Sequence, residues 1–98
     1  MRRAARTDAN QADIVDALRA IGASVEILAA VGRGCPDLLV GYRGCNVLLE
    51  VKDGQKRPSK RKLTGDQEIW HRGWQGRVIV VKSADEALAV VQGTREAA

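Results

Sequence analysis

Phenylalanine is absent from this 98-residue chain, and its aromatic residues stop at Tyr42, Trp70 and Trp74. So few rings leave little on which unpaired bases can stack, which turns the reading away from a single-strand binder and towards duplex or junction backbone. Cysteine is almost as scarce. Cys35 and Cys45 are too few for the disulfide framework of a small secreted domain. With His71 as the lone histidine, they lack both a C-x-x-C pair and the fourth ligand of a zinc site, so two semi-buried thiols are expected. There is no signal peptide and no apolar run of membrane-spanning length, which makes a reducing cytoplasm the expected compartment. No internal repeat, low-complexity tract or second domain is visible. Residues 1–98 make one domain with a modest core.

Positive charge, by contrast, is concentrated. The net charge is +4, yet the segment from Lys52 to Lys62 alone carries +5 and the rest of the chain −1. Its basic residues are Lys52, Lys56, Arg57, Lys60, Arg61 and Lys62, against Asp53. Taken alone this would be a solvated lysine-rich loop. Its place beside the residues described next makes contact with a polyanion the better reading.

Asp37 follows Pro36 and opens the apolar run Leu38-Leu39-Val40. Gly41-Tyr42-Arg43-Gly44 reads as a turn, and Val47-Leu48-Leu49 leads into Glu50-Val51-Lys52. A hairpin brings the start of its first strand beside the end of its second, so Asp37 should face Glu50 and Lys52. Alternation along the strand sends Glu50 and Lys52 to one side and Val51 to the other. Asp37 alone would be a turn-former, and Lys52 alone a partner for Glu50 in a salt bridge. Together they are what a metal-dependent phosphodiesterase needs: two hard oxygen ligands for Mg²⁺ and an ammonium near the attacking water or the phosphate.

Around this hairpin the pattern predicts a basic arm over residues 1–7 and a helix from about Asp8 to Ile21, with Ile14, Ala17, Leu18 and Ile21 on one stripe and Gly22 as its stop. Val25-Glu26-Ile27-Leu28 alternates like a strand, and Gly32-Arg33-Gly34 reads as a loop. The polar stretch from Asp53 to Leu63 is a second, longer loop. Thr64-Gly65-Asp66-Gln67 and Ser83-Ala84-Asp85-Glu86 each fit a capping box that starts a helix, and Arg77-Val78-Ile79-Val80-Val81 is a buried strand between them. A strand, helix, strand succession implies a right-handed parallel crossover. The expected fold is α/β: a mixed four-stranded sheet flanked by helices, in the order αβββαβ plus a C-terminal helix.

The stretches Gly32-Arg33-Gly34-Cys35-Pro36-Asp37-Leu38-Leu39-Val40-Gly41 and Leu48-Leu49-Glu50-Val51-Lys52-Asp53-Gly54 resemble the PD-(D/E)xK nuclease superfamily, in its stand-alone, phage-type VRR-NUC (virus-type replication-repair nuclease) branch. The likeness runs from about Asn10 to Ala89. It implies a restriction-endonuclease-like core with Asp37 and Glu50 as metal ligands, the backbone carbonyl of Val51 as a third, and Lys52 as the residue that orients or deprotonates water. The family often adds an acid from the first helix; Asp13 is the matching position, although plain helix-terminal charge also explains it. Relatives show a glutamine early in the next helix, which would place Gln67 near the lysine or the phosphate, whereas the capping box alone also accounts for it. Lys56, Arg57, Lys60, Arg61 and Lys62 would hold nucleic-acid backbone. So would Arg33, unless its glycine-flanked loop is simply a tight turn.

The resemblance thus implies a Mg²⁺-dependent, structure-selective DNA endonuclease, with Mn²⁺ as a substitute cation. The expected substrate is branched DNA such as Holliday junctions, and the expected active form a homodimer in the cytoplasm of a bacterial host. Three alternatives stay open: flap, nick or non-specific cleavage by the same site, a catalytically silent DNA-binding subunit built on a nuclease fold, and an RNA-directed nuclease.

Overall fold

The computed structural model describes residues 8–93, so the expected arm over residues 1–7 lies outside it. The elements run α1 (Gln11–Ala20), β1 (Ser24–Ile27), β2 (Leu38–Tyr42), β3 (Cys45–Val51), a 3-10 turn (Pro58–Lys60), α2 (Gly65–Gly73), β4 (Val78–Val81) and α3 (Ala84–Gly93). The sheet order is β1-β2-β3-β4, with the first two pairings antiparallel and β3 parallel to β4. This is the α/β architecture the sequence predicts, with the crossover supplied by α2. Among the described residues no helix is long and apolar enough to cross a membrane.

The hairpin sets the position of everything chemical. Tyr42 pairs with Cys45, leaving Arg43 and Gly44 as a two-residue connection with φ of 51° and 80°. Positive φ at both central residues is the signature of the type I′ turn, whose twist suits a tight hairpin. From there the register runs back to Leu38 opposite Leu49. Asp37, the next residue, donates its backbone N–H to the Leu49 carbonyl at 3.1 Å, which brings it level with Glu50. Cys35 and Cys45 stand at opposite ends of this hairpin as free thiols, each half-buried.

Alternation divides the sheet into two unlike faces. Val25, Leu38, Val40, Val47, Leu49, Val51 and Val81 form one core with Ile14 and Leu18 of α1 and Ala87 and Val91 of α3. Removing these side chains from water is the main source of stability in a domain of this size. The opposite face carries Leu39, Leu48, Glu50 and Lys52 and is covered only in part, by α2. Leu39 remains exposed there, as do Ile69 and Trp74 of α2.

Helix boundaries follow their capping chemistry. At α2 the capping box is complete: Gln67 N–H donates to Thr64 Oγ1 at 3.2 Å, and Thr64 N–H donates to Gln67 Oε1 at 2.9 Å. At α3 only half of the box forms as expected. Glu86 N–H donates to Ser83 Oγ, while the Glu86 carboxylate accepts from Lys82 N–H, one residue earlier than a capping box requires. The first helix departs further from expectation, since it starts at Gln11 and not at Asp8. Asn10 stands in the cap position, but its side chain makes no cap bond. Its amide nitrogen instead donates to the carbonyls of Lys52 and Lys82, at 3.2 and 2.9 Å. Asn10 therefore ties α1 to the ends of β3 and β4, and Asp8 is left in the turn ahead of the helix.

The loop before β2 meets α2 at Gly34, where φ is +83° and an added Cβ would overlap the backbone carbonyl of Asp66. Neither partner is a flexible side chain that can yield. Gly34→Ala should therefore destabilise the domain by about 1–3 kcal/mol, combining left-handed strain with a backbone clash. Thermal or urea denaturation measures this, and the substitution Gly32→Ala, with open space around its Cβ position, should cost only the strain, about 1 kcal/mol.

Candidate active site

Asp37, Glu50, Val51, Lys52, Lys56 and Gln67 line one open cavity of about 460 Å³, together with Asp8. Two adjacent strands supply the carboxylates, the end of β3 supplies the lysine, and the first turn of α2 supplies the glutamine. The side chains are linked directly. Lys52 Nζ donates to Gln67 Oε1 at 2.8 Å, and Gln67 Nε2 donates to Glu50 Oε2 at 3.1 Å. Asp37 Oδ2 accepts the Val51 N–H at 2.7 Å, which fixes the first carboxylate against the strand that carries the second. Gln67 thus caps its helix and bridges Lys52 to Glu50 at once. The two roles that the sequence offers as alternatives coexist, because the side-chain oxygen has two lone pairs and both are used.

Glu50 is 1 % exposed, and its acidity reflects that. Its pKa is pushed up to about 9, first by burial, then by a hydrogen bond to Asp37 and the charge of Asp37. Lys52 opposes the rise, and the charge of Asp8 adds to it. Without a cation Glu50 is therefore a neutral acid that shares a proton with Asp37. Burial followed by the charge of Lys52 lowers the pKa of His71, so its contact with Glu50 Oε1 at 3.3 Å is a hydrogen bond between neutral groups and not an ion pair. Lys52 itself makes no ion pair with Glu50 among the described residues; Gln67 stands between them. Burial, then the charges of Glu50 and Asp37, raise the pKa of the Cys35 thiol and leave it a poor nucleophile.

The donor set fits a hard divalent cation. Two carboxylates share one proton in a site open to solvent, and a cation that replaces that proton restores both charges. Among the described residues no three His, Cys, Asp or Glu side chains converge as a ready cage. Mg²⁺ keeps several waters and is commonly bound by one or two carboxylates plus substrate phosphate. The lack of such a cage among the described residues disposes of Cys35, Cys45 and His71 as a zinc site.

Not every residue expected at the site reaches it. Asp13 lies on the exposed side of α1 and lines a different depression, with Asp53, Arg61, Lys82 and Glu86. The phase of α1 explains this, since Gln11, Ile14, Val15 and Leu18 occupy its buried side. Asp8 stands in the cavity instead, 3.6 Å from Lys56 Nζ. Arg61 also departs from its neighbours: it is half-buried in the Asp13 depression, whereas Lys56, Arg57, Lys60 and Lys62 are exposed. Arg33 sits exposed in a left-handed turn with φ 57° and does not line the cavity. Sequence reasoning overlooked Asp8, Asn10 and the contact of His71. For Asp8 and Asn10 the signal was present, in an Asp-x-Asn pair directly before the apolar stripe, but it reads as ordinary helix capping.

The raised acidity constant of Glu50 gives the metal-free protein a pH dependence of definite sign. An unfolded glutamic acid ionises near 4.5 and the folded one near 9, so between these values the native state binds the extra proton and stability falls as pH rises. Glu50→Gln cannot ionise and should remove that fall. In EDTA its melting temperature should match the wild type at about pH 4 and exceed it at about pH 8, as thermal denaturation across pH would show.

Comparison with solved structures finds a chain described as a "VRR_NUC domain", similar over 90 % of this chain and 100 % of that one, with a TM-score of 0.55 and 27 % sequence identity. No family model matches the sequence, and no curated protein does. The mixed four-stranded sheet with its three helices is the fold of a nuclease domain, and the likeness supports the VRR-NUC resemblance seen in the motifs.

Proposed function

We propose that this protein is a Mg²⁺-dependent endodeoxyribonuclease that hydrolyses phosphodiester bonds in branched DNA, with four-way junctions as the preferred class. The observation that carries the reading is the convergence of Asp37, Glu50, Lys52 and Gln67 in one open cavity with Lys56 at its edge. Asp37 and Glu50 would hold the cation, with the Val51 carbonyl as a further oxygen donor. Mn²⁺, which takes the same hard ligands, should substitute. Bound there, the cation neutralises phosphate charge and lowers the pKa of a water. Lys52, held by Gln67, positions the nucleophile and offsets charge developing on the phosphate. The exposed run of Lys56, Arg57, Lys60 and Lys62 begins at the cavity and continues outward, which suits a backbone clamp more than a base reader.

Shape selection follows from scale. A domain this small offers too little surface to read a long base sequence, so geometry of the backbone is what it selects on. Cutting two strands symmetrically needs two sites, which makes a homodimer the active species. The groove of Leu39, Leu48, Trp70 and Trp74, on the same sheet face as the cavity, is the apolar surface such pairing would cover.

Labelled four-way junction, flap, nicked and plain duplex DNA, each with Mg²⁺, Mn²⁺ or EDTA, test the proposal. Paired, metal-dependent cuts in the junction are expected, and Lys52→Ala should slow them by about 10² or more. Equal cutting of all four substrates would replace branch selection with a non-specific nuclease. Tight binding without cleavage under either metal would leave a silent DNA-binding subunit.

The acid that the N-terminal segment contributes is Asp8, whose carboxylate lines the cavity and whose charge acts on Glu50. Asp8→Ala should raise the Mg²⁺ concentration for half-maximal cleavage by roughly tenfold or more, whereas Asp13→Ala should change it by less than about twofold. A metal titration of both variants decides between them, and the reverse ranking would return the role to Asp13.

A further inference from the structure

His71 lies one helical turn beyond Gln67 on α2, and together they grip both oxygens of Glu50. Gln67 Nε2 meets Oε2 at 3.1 Å, and His71 Nε2 meets Oε1 at 3.3 Å. Residues at i and i+4 share one helix face, so a single seat of α2 on the sheet sets both contacts. The imidazole is itself largely buried, 14 % exposed, with the edge of Trp70 against it. It does not line the cavity, so it can reach the chemistry only through Glu50.

We propose that His71 is a positioning residue for the cation site: it fixes the plane of the Glu50 carboxylate so that the remaining lone pairs face the cavity. A glutamate has three rotatable bonds, and a carboxylate held at one oxygen can still swing about that contact. Held at both, it presents a fixed pair of donors to the cation. Without His71 the helix keeps its capping box at Thr64, the Gln67 bonds to Lys52 and Glu50, and Trp70 in the groove with Leu48. Loss of His71 should therefore loosen the metal ligand more than the helix fold or the nucleophile. This role rests on the nuclease reading given above, in which Glu50 holds the cation.

Two amide substitutions separate geometry from bulk. The side-chain nitrogen of Gln reaches the place of the imidazole Nε2, whereas that of Asn stops near Nδ1. Mn²⁺ binding to the full chain, followed by calorimetry and by the electron paramagnetic resonance of the free ion, reads the site without turnover. His71→Asn should weaken Mn²⁺ binding and raise the half-saturating Mg²⁺ for junction cleavage by about 10–100-fold. Turnover at saturating metal should fall by no more than about threefold, because Lys52 and the cavity are untouched. His71→Gln should stay within about threefold of the wild type in both measurements.

A wild type that binds Mn²⁺ and cuts DNA, with His71→Asn indistinguishable from it, would overturn the role of His71 alone. So would a loss of turnover at saturating metal with Mn²⁺ affinity unchanged, or a failure of His71→Gln to restore binding while its melting temperature matches the wild type. A wild type that neither binds Mn²⁺ nor cuts would remove the nuclease reading and this role together.

Discussion

A carboxylic acid buried on the central strand is the constraint around which the rest of this protein is arranged. Glu50 lies where a sheet of this size would ordinarily place an aliphatic side chain, between Leu48 and Lys52 on the partly covered face. An ionised carboxylate there would be prohibitively desolvated. The fold answers by surrounding it: Asp37 shares its proton, Gln67 and His71 hold its oxygens, and Lys52 supplies opposing charge nearby. These neighbours come from three segments, the start of β2, the end of β3 and α2, so the hairpin register, the crossover and the seat of α2 all have to be right for one side chain to be tolerated.

The two faces of the sheet divide the labour. The face against α1 and α3 is a continuous apolar core and carries the stability. The other face gives up much of its apolar burial to hold polar groups, with α2 covering part of it through the Gln67 and His71 bonds to Glu50 and through Trp70 beside Leu48. Asn10 connects the two halves. By donating to carbonyls of Lys52 and Lys82 it fixes the ends of β3 and β4, and with them the place where Asp8 enters the cavity.

Much of this was legible in the chain itself. The hairpin announced itself through Gly41-Tyr42-Arg43-Gly44 and the apolar runs on either side, although Gly41 and Tyr42 belong to β2, and with the hairpin came the facing of Asp37 and Glu50. The crossover and both later helices were readable because caps and a β-branched run are local signals. What failed were features decided by tertiary contacts. α1 starts at Gln11 because Asn10 is drawn to strand carbonyls more than to its own helix, and it is Asp8 that lines the cavity while Asp13 lies on the exposed side of the helix. His71, weighed in the sequence as a zinc ligand, gave no sign of its contact with Glu50 because nothing in its neighbours tells which side of α2 meets the sheet. Arg61 turned inward from a loop whose composition promised only solvent exposure.

The double duty of Gln67 has a consequence for how this sequence can vary. Its one oxygen serves the amide of Thr64 and the ammonium of Lys52, while its nitrogen serves Glu50. Glutamate at this position would keep the cap but set a negative charge against an acid already crowded by Asp37. Methionine would preserve length and lose all three side-chain bonds, leaving only the Thr64 Oγ1 half of the cap. Helix initiation and site assembly thus draw on a single side chain, and only an amide of this length serves both in full.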